Sequence, residues 1–180
     1  MLNLRVASPD LLVDITGIHD LDKISVAERV PEAPRMVAPQ ENIEAALNLL
    51  EKAKNPLVLV GKGMAWSRAE NEVRAFIDRT QIPFVRSPQG KGVVPDDHPL
   101  SVVAARTLAL QQADVVFLMG ARFNWIFHFG LEPRFSKNVK VIQLDIEPEE
   151  IHHNKRTEVA LVGDGKAIMA QMNKALQSRQ

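Results

Sequence analysis

The chain has 180 residues, 46% of them apolar and 24% charged, a balance that excludes disordered and fibrous classes and a length that supports one domain burying roughly 70% of its unfolded surface. Lys plus Arg and Asp plus Glu both number 22. No net positive field is therefore available to hold a nucleic acid, and no run approaches the roughly 20 apolar residues that span a bilayer. Cysteine is absent, which removes disulfides, thiolate metal ligands and cysteine nucleophiles together and fits an intracellular compartment.

Residues 1–10 carry Arg5 and Asp10 and no apolar run of signal-peptide length, so secretion is not expected. An apolar stretch from Leu11 ends in a turn at Gly17. The polar segment that follows holds Pro31, Pro34 and Pro39, which block regular helix and suit an extended connector. Residues 1–38 thus read as a linker or the remnant of a preceding domain, and residues 39–180 as the folded domain. From Glu41 the pattern changes. Ile43, Ala46, Leu47 and Leu50 recur at helical spacing until Asn55-Pro56, and the run Leu57-Val58-Leu59-Val60, closed by Gly61, reads as a buried strand.

The alternation then repeats. Residues 68–80 form an amphipathic helix pattern through Val73, Phe76 and Ile77, residues 82–86 a short strand, and residues 89–97 a loop rich in Gly and Pro. Residues 102–113 suit a helix, 114–119 a strand stopped by Gly120, 139–145 another strand, 148–153 a short helix, 159–162 a strand and 166–176 a closing helix. Continuously apolar strands separated by helices predict an α/β, doubly wound, Rossmann-like parallel sheet of about six strands with helices on both faces.

Ligands of such sheets bind beyond the carboxyl ends of the strands. Four places stand there: Gly61-Lys62-Gly63, Gly120-Ala121-Arg122, Asp145-Ile146-Glu147 and Gly163-Asp164-Gly165. The first offers backbone N–H groups and the Lys62 cation to a phosphate. It is equally a tight turn, because the third glycine of the dinucleotide fingerprint falls on Trp66 and no Walker sequence is present. Arg122 reads either as a bidentate phosphate clamp or as a surface arginine paired with an acid. Asp145 ends a strand where an acid accepts ribose hydroxyls, or else it caps the turn after it. For Asp164 the helix cap is the better reading.

Other chemistries find no support. Gly163-Asp164-Gly165 resembles the opening of a magnesium diphosphate motif, but only 15 residues follow Gly165 and the lone asparagine among them is Asn173. The five histidines show no metal-binding spacing, and no serine sits in a Gly-x-Ser-x-Gly elbow.

Residues 120–131, reading GARFNWIFHFGL, resemble a segment of 2-hydroxyacyl-CoA lyases. Residues 56–63 (PLVLVGKG), 90–99 (GKGVVPDDHP), 104–114 (AARTLALQQAD), 141–146 (VIQLDI) and 161–164 (LVGD) match the same family in order and spacing. Residues 12–17 (LVDITG) resemble the end of the family's preceding domain. Position 123 is Phe, where the family pattern has Leu, an apolar exchange. The resemblance implies the central domain of a thiamine diphosphate enzyme of the lyase or oxalyl-CoA decarboxylase type, peroxisomal or cytoplasmic, with the cofactor and its magnesium held by the outer two domains. It implies that these residues are not a catalyst alone, that neighbouring domains and other copies are their partners, and that the parent is a homo-oligomer. It further implies an ADP-like nucleotide at Lys62, Arg122 and Asp145, with Arg106 near a CoA moiety; Gly61, Gly63, Gly120, Ala121, Asn124, Ile146 and Asp164, beside them at the strand ends, complete the candidate nucleotide or CoA site. His128-Phe129-Gly130 and residues 90–94 favour the lyase. An autonomous nucleotide-sensing module and a free-standing Rossmann oxidoreductase are the competing readings. The second of these is opposed by Trp66. Trp125, Phe127 and Phe129 are expected at a surface that neighbours cover or that folds inward.

Overall fold

The structure, a computed structural model, describes residues 30–179. The readings made on residues 1–29, including the piece at 12–17, lie outside the described residues. From Pro34 onward the chain forms one compact unit.

Strands β1 (Pro56–Val60), β2 (Phe84–Arg86), β3 (Val115–Met119), β4 (Lys140–Asp145) and β5 (Val159–Val162) build one sheet in the order β2-β1-β3-β4-β5, parallel throughout. The doubly wound α/β reading holds, with five strands among the described residues where about six were expected. Side chains alternate between the faces as the period of two requires. Val58 and Val60 of β1 and Phe117 and Met119 of β3 enter one core cluster, while Leu57, Leu59, Val116 and Leu118 enter the other.

The first cluster is covered by three helices. α1 (Gln40–Glu51) buries Ile43, Ala46, Leu47 and Leu50; α3 (Glu70–Thr80) buries Val73, Phe76 and Ile77; α5 (Gly165–Gln177) buries Ile168, Met169 and Met172. Phe76 meets Phe117 edge-on, with ring centroids 5.8 Å apart. The second cluster is covered by the short α4 (Arg106–Gln112), through Leu110, and by Phe123, Phe127 and Phe135 from the irregular segment after β3. That face therefore owes its closure to loop aromatics more than to helix.

Several boundaries differ from the sequence reading for backbone reasons. The helix expected from residue 68 starts at Glu70 because Arg68 adopts a left-handed φ of 54°. The helix expected over 102–113 begins as a 3₁₀ turn, Val103–Ala105, before α4. The one expected over 148–153 is only the 3₁₀ turn Pro148–Glu150, since Ile151 is extended and His152 has φ 68°. Periodicity did not reveal α2 (Lys62–Trp66) or the 3₁₀ turns over Trp125–Gly130, which kink where His128 and Phe129 take φ of 49° and 55°. Part of the stretch read as connector also docks. Ala38 is buried, its N–H donates to Gln171 Oε1 at 3.1 Å, and its carbonyl accepts from Gln171 Nε2 at 3.0 Å.

The strand order sets where a ligand can enter. From β1 the chain moves outward to β2, then returns past β1 to lay down β3, β4 and β5. The turns after β1 and β3 consequently diverge to opposite faces, and the crevice between them is the switch point of the sheet.

Candidate functional site

At that switch point lies a cleft of about 630 Å³, lined by the ends of β1, β3, β4 and β5, within the roughly 300–1,000 Å³ typical of small-molecule sites. Its floor is two interlocked turns. The Gly61 N–H donates to the Met119 carbonyl at 2.8 Å and the Gly63 N–H to the Gly120 carbonyl at 2.9 Å. A Cβ on Gly61 would overlap the Gly120 carbonyl oxygen. This corrects the expectation that these N–H groups are free for a phosphate. They are consumed in seating one turn on the other, and what the first turn offers a ligand is Lys62. That side chain is exposed, lines the cleft, and holds its ammonium 5.0 Å from the centre of the Trp66 ring.

Gly120, Ala121 and Arg122 form the opposite wall. Arg122 is 54% exposed and its Nη1 lies 3.2 Å from Glu150 Oε1, so the pairing with an acid is present, and the side chain also lines the cleft. The arginine end of the pair is open to solvent, while Glu150 is half-buried at 18% exposure. Asp145, at the tip of β4, is buried, and its Oδ1 accepts from the Glu147 N–H at 3.0 Å. Burial raises its carboxyl above the ordinary aspartate value, opposed by the Glu147 hydrogen bond and by Arg122. Its bond caps the bend at 145–147 and not a helix.

The remaining expected residues divide. Asn124 lines the cleft, but its side-chain oxygen accepts from the Ile126 N–H at 3.0 Å and starts the 3₁₀ turn. Asp164 also lines it and is a cap, accepting from the Ala167 N–H at 2.9 Å, while both carboxylate oxygens lie 3.0 Å from Arg35 Nη1. Ile146, 54% exposed, stands at the lip. Arg106 sits behind the wall. It donates to the Ile126 carbonyl, stacks 5.1 Å from the Phe127 ring centre, and leaves its buried Nε without a partner. Burial and then Arg134 lower Arg106 from its usual value, and burial with both arginines lowers His128.

The donor set does not suit a magnesium diphosphate. Asp164 is engaged by Arg35 and by the helix start, and among the described residues no three His, Asp or Glu side chains gather as a metal set. Of the aromatic residues expected at a surface, Trp125 is 74% exposed and Phe129 is exposed, whereas Phe127 is buried. The sequence reading missed the cleft positions of Trp66, Ser87 and Gln89. Trp66 had one usable signal, the spacing of four from Lys62, which places both on one face of a helical turn.

The family model for the central domain of thiamine pyrophosphate enzymes matches residues 43–172. The chain is 49% identical over 164 residues to 2-hydroxyacyl-CoA lyase 1 of Mus musculus, covering 91% of this chain and 28% of that protein. It is 43% identical over 140 residues to oxalyl-CoA decarboxylase of Escherichia coli K12, covering 78% of this chain and 25% of that protein. It thus spans under a third of the length of these relatives. In fold it superposes on a putative thiamin diphosphate-dependent enzyme from Mycobacterium smegmatis with a TM-score of 0.65 at 18% identity, covering 81% of this chain and 30% of that one. No described helix is long and apolar enough to cross a membrane. A parallel sheet in the order just described, and a family match that runs from within α1 to within α5, settle the affiliation: the chain belongs to the thiamine pyrophosphate enzyme central-domain family.

Proposed function

We propose that this chain is the nucleotide-binding central domain of a thiamine diphosphate-dependent 2-hydroxyacyl-CoA lyase, and that the cleft takes an adenine nucleotide, ADP or the nucleotide part of CoA. The observation that carries the reading is the convergence, at one switch point, of the Lys62 cation, the exposed Arg122 guanidinium and the buried Asp145 carboxylate. Two cations answer a diphosphate, and an acid at the tip of β4 accepts from ribose hydroxyls. The lyase is favoured over oxalyl-CoA decarboxylase by the higher identity and longer cover of the mouse relative. The carbon–carbon cleavage belongs to a whole enzyme. Thiamine diphosphate supplies its electron sink there, and no residue of the cleft is assigned to hold it. Trp125 and Phe129, exposed on the loop-covered face, suit contact with neighbouring domains or another copy.

Titration calorimetry with ADP, CoA and NAD tests the reading. ADP or CoA is expected to bind, NAD to bind more weakly, and Arg122→Ala to lose about tenfold or more in affinity, the size of a charge-assisted hydrogen bond. Absence of any nucleotide binding, or equal binding by Arg122→Ala, would overturn it.

A further inference from the structure

Two of the large apolar side chains left in solvent stand on opposite lips of the same cleft. Trp66, 75% exposed, closes α2 on one lip, and Ile146, 54% exposed, follows β4 on the other. Each is flanked by a polar group already placed for a nucleotide, Lys62 beside Trp66 and Asp145 beside Ile146. Apolar surface rimmed by polar groups at the mouth of a cleft is the pattern of a ligand groove. Here the ligand has a defined shape, because a cleft with apolar lips and a charged floor admits a flat ring above a polar tail.

We propose that Trp66 is the base platform of this site: a planar heteroaromatic base stacks on its indole and is held from the other lip by Ile146. The inference rests on the nucleotide reading and deepens it by assigning what selects the base. The Lys62 ammonium lies over the ring, 5.0 Å from the indole centroid, and the residue nonetheless stays 75% exposed. Lys62 and Trp66 are four residues apart on a single helical turn, so the cation fixes the direction of the platform. Ser67 and Met64 fix its root. The Ser67 hydroxyl donates to the Met64 carbonyl at 3.1 Å, the Ser67 N–H to the Gly63 carbonyl at 3.0 Å, and Met64 is buried. A rigid root and an exposed ring are what a stacking surface requires. Stacking is tolerant of base identity because every base has a π-face, so Trp66 selects for a base against none, while the floor selects for the diphosphate.

The experiment compares ADP with inorganic pyrophosphate, which shares the charged tail and lacks the base, on the full chain and its Trp66→Ala and Trp66→Phe variants. Trp66→Ala is expected to weaken ADP about tenfold, to leave pyrophosphate unchanged, and to be largely rescued in Trp66→Phe. The chain has only two tryptophans, so in a Trp125→Phe background the emission of Trp66 is expected to change on adding ADP and to stay constant with pyrophosphate. Unchanged ADP affinity in Trp66→Ala, or an equal loss for ADP and pyrophosphate, overturns the platform while the nucleotide site stands. Failure of the unsubstituted chain to bind ADP overturns both.

Discussion

Twice the chain passes from strand to helix through a Gly-x-Gly turn, after β1 at Gly61-Lys62-Gly63 and after β5 at Gly163-Asp164-Gly165, and the two turns do different work. In the first, both glycines are consumed by contact with the β3 turn, and the residue between them stands exposed in the cleft. In the second, the middle residue is tied down: Asp164 caps α5 and meets Arg35, and its N–H donates to the Met36 carbonyl at 3.0 Å. A glycine pair at a strand end is thus first a packing device. Whether the turn also serves a ligand is decided by the freedom of the residue between.

The sharpest way to break this comparison is to put a methyl group on each turn. A Cβ at Gly61 meets backbone, the Gly120 carbonyl, which cannot move without parting the two strands. Gly61→Ala is expected to cost about 3 kcal/mol in denaturant unfolding. At Gly165 the added Cβ meets no backbone, only the flexible end of Met64, which can turn aside, and the Ser67 hydroxyl, whose bond to the Met64 carbonyl it strains, while Ala suits the first turn of a helix. Gly165→Ala is expected to cost about 1 kcal/mol or less. Equal costs would show that the interlocked floor is not special to the β1 turn.

The middle residues give the next contrast. Lys62→Ala is expected to change the unfolding free energy by less than about 1 kcal/mol, since the side chain is exposed and gives up an exposed cation–π contact with Trp66, and to weaken ADP about tenfold by calorimetry. Asp164→Ala is expected to do the reverse, costing about 1 kcal/mol through the lost helix cap, with Asp164→Asn recovering most of it because the amide oxygen still accepts from Ala167. A large loss of nucleotide affinity in Asp164→Asn would move Asp164 from scaffold to ligand and erase the distinction between the turns.

What the sequence disclosed follows the same division. The five strands and the helices α1, α3 and α5 were legible because each carries an uninterrupted apolar signal: Leu57-Val58-Leu59-Val60, or Ile43, Ala46, Leu47 and Leu50. The cleft was legible only as four strand ends, since topology places it. The partners of the cleft residues were not legible. The contacts Arg122 to Glu150, Asp164 to Arg35 and Gly61 to Met119 join residues remote along the chain or across the sheet, and no local pattern encodes them. Trp66 was read only as the residue that spoils a glycine fingerprint, although its spacing of four from Lys62 would place both on one face of a helical turn. Its role at the lip depends on α2, whose five residues are too few to show a period.

Asp145 offers the smallest effect and the finest discrimination, because it is the one cleft residue whose stability and binding consequences should oppose each other. Its folded-state pKa is raised, chiefly by burial. A raised pKa means the folded state binds the proton more tightly than the unfolded state does. The stability this supplies is present below the ordinary aspartate range and is lost as pH rises through the elevated folded value. At neutral pH the chain therefore carries a buried charge whose Oδ1 accepts from Glu147 and whose field is softened by Arg122. Asp145→Asn keeps the oxygen that accepts from Glu147 and removes the charge. It is expected to raise the thermal unfolding midpoint slightly at neutral pH, with the gain shrinking as pH falls into the aspartate range, and to weaken ADP severalfold, since an amide oxygen is a poorer acceptor for ribose hydroxyls than a carboxylate. Scanning calorimetry at neutral and acid pH, paired with the ADP titration, reads both. A variant that is less stable at neutral pH and binds ADP normally would make Asp145 a scaffold residue like Asp164, and the cleft would then rest on its two cations alone.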